Sequence, residues 1–64
     1  MNSKYQLELA ALNVQVILLE AEIEALERLI AIYVSPDLER SRLAVALHQR
    51  SRLLIRRSYL EEEL

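Results

Sequence analysis

Apolar residues recur through the first half of the chain at Tyr5, Leu9, Leu12, Val16, Leu19, Ile23, Leu26, Ile30 and Tyr33, with gaps that alternate between 4 and 3 throughout. That spacing holds one stripe on one side of an α-helix and is the heptad signature of coiled-coil packing. Residues from about Ser3 to Val34 contain no Gly or Pro and are good helix formers, so the pattern predicts one helix over about 3–34. In heptad terms Leu9, Val16, Ile23 and Ile30 take position a, with leucines at most of the d positions. β-Branched a residues with Leu at d also suit a parallel two-stranded coil, so this seam serves equally for pairing within the chain and with a copy of it.

A second row lies on the opposite side of the same helix: Leu7, Ala11, Val14, Leu18, Ala21, Ala25, Arg28 and Ile32. It is again spaced 4 and 3, but its alanines allow a neighbouring helix to approach closely. Polar stripes separate the rows, with Gln6, Asn13, Glu20 and Glu27 on one side and Glu8, Gln15 and Glu22 on the other. A helix that is apolar on two sides is an inner element of some assembly. One side is covered by the rest of the chain, and the other calls for a second molecule.

The break falls at Ser35-Pro36-Asp37. Proline removes a backbone donor and disfavours helical geometry in the residue before it, which places a turn at about 34–37. The same tripeptide is suited to start a helix, with Ser35 as N-cap, Pro36 at the first helical position, and Asp37 and Glu39 supplying negative charge to the first turn. A second helix is expected over about 36–62, and so short a connection implies an antiparallel hairpin. Its strongest apolar face is Leu43, Leu47, Leu54 and Ile55, interleaved with Ala44, Ser51 and Ser58; this face is expected to dock on the first helix. Ala46, Leu53, Leu60 and Leu64 lie on its other side among arginines.

Composition sharpens the case for assembly. The 64 residues allow one domain. Ordering them costs about 95 kcal/mol, and a compact globule of this mass, burying about 6,500 Å² of which roughly 60% is apolar, recovers about 100 kcal/mol. A rod of two helices buries less, and the absence of cysteine removes disulfides as a staple, so oligomerisation or a partner must supply the remainder. The longest charge-free run, Leu9 to Leu19, is too short to span a bilayer, and no leader pattern is evident, so a cytoplasmic location is expected.

Net charge is -2, which gives no general attraction to nucleic acid. The charges divide by helix: up to Val34 two basic residues face five glutamates, and from Ser35 onward six arginines face five acids. If the chain folds back at Ser35, residues whose numbers sum to roughly 70 lie opposite one another, an antiparallel register in which Glu20 meets Arg50 and Glu27 meets Arg42 or Leu43. Such exposed pairs discriminate against wrong registers more than they stabilise.

Each candidate for chemistry has a plainer use. Arg50, Arg52, Arg56 and Arg57, with His48 nearby, form the one patch that suggests phosphate binding. Glu61, Glu62 and Glu63 follow directly, and no interleaved aromatics offer base stacking, so pairing with glutamates is the simpler role. Glu20, Glu24 and Glu27 share a flank, but no His or Cys joins them, and the Glu-x-x-His motif of di-metal bundles is missing because Val45 precedes His48 by three. His48 has no Ser or Cys at a catalytic spacing, so no enzyme, metal site or cofactor is expected.

A two-helix hairpin of this length is similar in architecture to the plasmid-encoded ROP-type hairpin, which dimerises into a four-helix bundle and binds RNA. No motif is shared, so the likeness extends to architecture alone. The expected molecule is an all-α antiparallel hairpin that self-associates, with a dimeric four-helix bundle favoured, and that works as a protein-protein interaction module. Its seam would be Leu9, Leu12, Val16, Leu19, Ile23, Leu26 and Ile30 against Leu43, Leu47 and Leu54; its outward interface, with a copy or another protein, would be Leu7, Ala11, Val14, Leu18, Ala21, Ala25 and Ile32. The alternatives are a nucleic-acid-binding hairpin using the four arginines, and one half of a chaperone-like or antitoxin-like hetero-complex.

Overall fold

The computed structural model describes residues 3–64. Two helices, α1 (Ser3–Ile32) and α2 (Asp37–Glu63), pack against each other as a hairpin. The fold is a rod of 53 × 14 × 12 Å with a radius of gyration of 14.8 Å, against about 11 Å for a compact globule of this length.

Pro36 sets where α1 stops. A proline ring clashes with the carbonyl four residues earlier, and Ile32 is both that residue and the last of α1. The amide of Tyr33 still donates to the Leu29 carbonyl at 3.0 Å, so the helical ladder ends one bond later. The capping arrangement differs from expectation. Pro36, not Ser35, occupies the N-cap position of α2, with φ -89° and ψ 45°, and its carbonyl accepts the first intrahelical bond from the Arg40 amide at 2.9 Å. Ser35 instead donates its hydroxyl to the Asp37 carboxylate at 3.4 Å, and Pro36 itself is buried in the turn. Asp37 and Glu39 lie in the first turn of α2, where the helix dipole favours them.

The seam of α1 faces α2. Leu12, Val16, Ile23 and Leu26 are buried, while Tyr5, Leu9, Leu19 and Ile30 are half-buried; Tyr33, past the end of the helix, is exposed. On α2 the docked face is rotated from the one expected. Buried or half-buried positions run Glu39, Leu43, Ala46, Arg50, Leu53, Arg57 and Leu60, with gaps of 4 and 3 that match those of α1. Leu54 sits half-buried at the margin of this face, whereas Leu47 is 37% exposed and Ile55 lies fully outside.

The reason lies in two arginines at heptad positions. Arg50 and Arg57 count as polar in a hydropathy pattern, yet an arginine packs as an apolar stem with a charged tip that reaches outward. With those stems counted as packing atoms, α2 has a continuous stripe that includes Ala46, whose small side chain permits close approach, and Leu60, which is completely buried. No buried side-chain nitrogen or oxygen among the described residues lacks a hydrogen-bond partner.

Candidate interaction surface

The row behind the α1 seam faces outward along the length of the rod. Leu7 is 74% exposed, Val14 57%, Leu18 65% and Ile32 72%, with exposed Ala11, Ala21 and Ala25 between them and Ile17 beside them. Heptad geometry produces this result: a stripe that points at α2 leaves the opposite stripe of the same cylinder in solvent. Scattered exposed leucines are ordinary on a protein surface, and it is the continuity of this stripe that makes the face a candidate for interaction.

Beside this row, on one flank of the hairpin, runs an open groove whose walls come from both helices. One stretch is lined by Gln15, Leu18 and Leu19 of α1 and by Gln49, Arg52, Leu53 and Arg56 of α2. A second stretch is lined by Glu22, Val45 and Ala46, among others, and meets the first at Gln49. The first stretch sets Leu18, Leu19 and Leu53 beside Arg52 and Arg56, whereas the second mixes Glu22, Ser41 and Arg42 with Val45 and Ala46. Leu18 belongs both to the groove wall and to the outward row, which makes the two features one continuous surface. The sequence pattern placed Gln15 and Glu22 in a polar stripe between the two rows and gave Gln49 no role, while Leu18 and Leu19 of the groove come from the outward row and the seam respectively.

The far end of the hairpin, away from the turn, is held by polar contacts. Arg56 donates to the Glu8 carboxylate through both Nε, at 2.7 Å to Oε2, and Nη2, at 3.1 Å to Oε1. This bidentate fork fixes direction as well as distance. The hydrogen bond from Arg56 holds the Glu8 carboxyl below the ordinary carboxylate range, with burial opposing it and the charges of Arg56 and Lys4 assisting. The same bond raises the pKa of Arg56. The Arg56 guanidinium also lies 5.4 Å from the ring centre of Tyr59, within cation-π range. One residue on, Arg57 donates to Asn13 Oδ1 at 3.3 Å.

The four arginines sit differently in the hairpin. Arg56 and Arg57 are engaged inside the hairpin, Arg50 is half-buried on the packed face, and Arg52 is exposed on the groove rim. Among the described residues the expected pairs Glu20 with Arg50 and Glu27 with Arg42 do not form; the bridge between helices is Arg56 to Glu8.

The remaining candidates lie open to solvent. Glu20, Glu24 and Glu27 are exposed, and Glu24 accepts a hydrogen bond from Arg28 one turn on at 2.6 Å. No group of three or more His, Cys, Asp or Glu among the described residues is arranged to hold a metal ion, and His48 is exposed. No helix is long and apolar enough to cross a membrane among those residues. No family model matches the chain, and no curated protein or solved structure matches it either.

Proposed function

We propose that the chain is a small non-catalytic protein-protein interaction module that works as a homo-oligomeric helical bundle, most simply a dimer of hairpins forming a four-helix bundle. Its role is that of an adaptor, small regulator or assembly subunit. The observation that carries this reading is the outward row of α1, an apolar stripe from Leu7 to Ile32 left in solvent by the hairpin. Burying such a stripe gains about 25 cal/mol per Å² of apolar surface, and nothing else in the hairpin covers it.

The engagement of Arg56 and Arg57 within the hairpin supports a structural use of the arginine cluster over phosphate contact. Molar mass in solution, measured by light scattering over a range of concentrations, tests the proposal. A mass above that of one chain, falling when Leu18 is replaced by Asp, is expected. A soluble, well-folded chain that stays monomeric would overturn it, and a chain that is insoluble until co-expressed with another protein would favour the hetero-complex instead.

A further inference from the structure

We draw no further inference here: the strongest candidate, the open groove on the flank of the hairpin where Leu18, Leu19 and Leu53 lie beside Arg52 and Arg56, is an unpartnered surface continuous with the outward row of α1, and nothing in the structure shows what covers it.

Discussion

Arg56 and Glu8, which are 48 positions apart in the sequence, meet through two hydrogen bonds of 2.7 and 3.1 Å and join the far end of α2 to the first turns of α1. The turn at Pro36 holds one end of the rod; this fork holds the other. Between them the seam has its register specified twice, which matters in a hairpin whose heptads would tolerate a slip of one repeat.

The pH dependence follows from this contact. Because Arg56 lowers the Glu8 pKa in the folded chain, the contribution of Glu8 is present at neutral pH and above the ordinary carboxylate range. It is lost as pH falls through the folded-state value. The two side chains are 36% and 45% exposed, so the effect is small and screened by salt. Glu8→Gln should lower the melting temperature slightly at pH 7 and narrow the gap between the pH 7 and acidic melting temperatures. Thermal denaturation followed by circular dichroism at several pH values checks this.

Seam and outward row should respond differently to the same insult. Ile23 is buried against α2, so Ile23→Ala should cost about 2–5 kcal/mol and Ile23→Asp should unfold the chain. Leu18→Asp leaves the seam intact and should lower the molar mass before helicity is lost. Equal effects at both positions would mean that the two faces of α1 are not divided in this way.

The rotated face of α2 gives a sharper test, because the hydropathy pattern and the structure disagree there. Ile55 is exposed, so Ile55→Gln should change stability by no more than about 0.5 kcal/mol. Ala46 is 2% exposed, so Ala46→Leu should overpack the contact and cost about 1–3 kcal/mol. Chemical denaturation of the two variants checks the order.

These contrasts mark how far the residues alone could be read. The hairpin was legible because α1 carries an unbroken heptad and one proline punctuates the chain, and both signals are local. The face of α2 was not, because Arg50 and Arg57 read as polar while their stems pack, and an alanine at position 46 looks incidental until a helix must approach it. The Arg56 to Glu8 fork depends on a register between distant residues, which periodicity constrains only to within a repeat. For the outward row, the pattern itself named Leu7 to Ile32, since two stripes on opposite sides of one helix cannot both face the same neighbour.

The arginines admit a direct comparison. Replacing Arg56 and Arg57 with Gln should destabilise the hairpin by removing the Glu8 and Asn13 contacts, seen as a lower melting temperature. If the cluster instead held phosphate, the fourfold Gln variant at 50, 52, 56 and 57 would keep its oligomer size and abolish a salt-sensitive gel shift.

Sedimentation equilibrium on the intact chain tests the central claim most directly. The account predicts a concentration-dependent mass that reaches twice 7.5 kDa, and its reduction to a single chain by Leu18→Asp at unchanged helicity. A folded species that stays at 7.5 kDa at every concentration would contradict it.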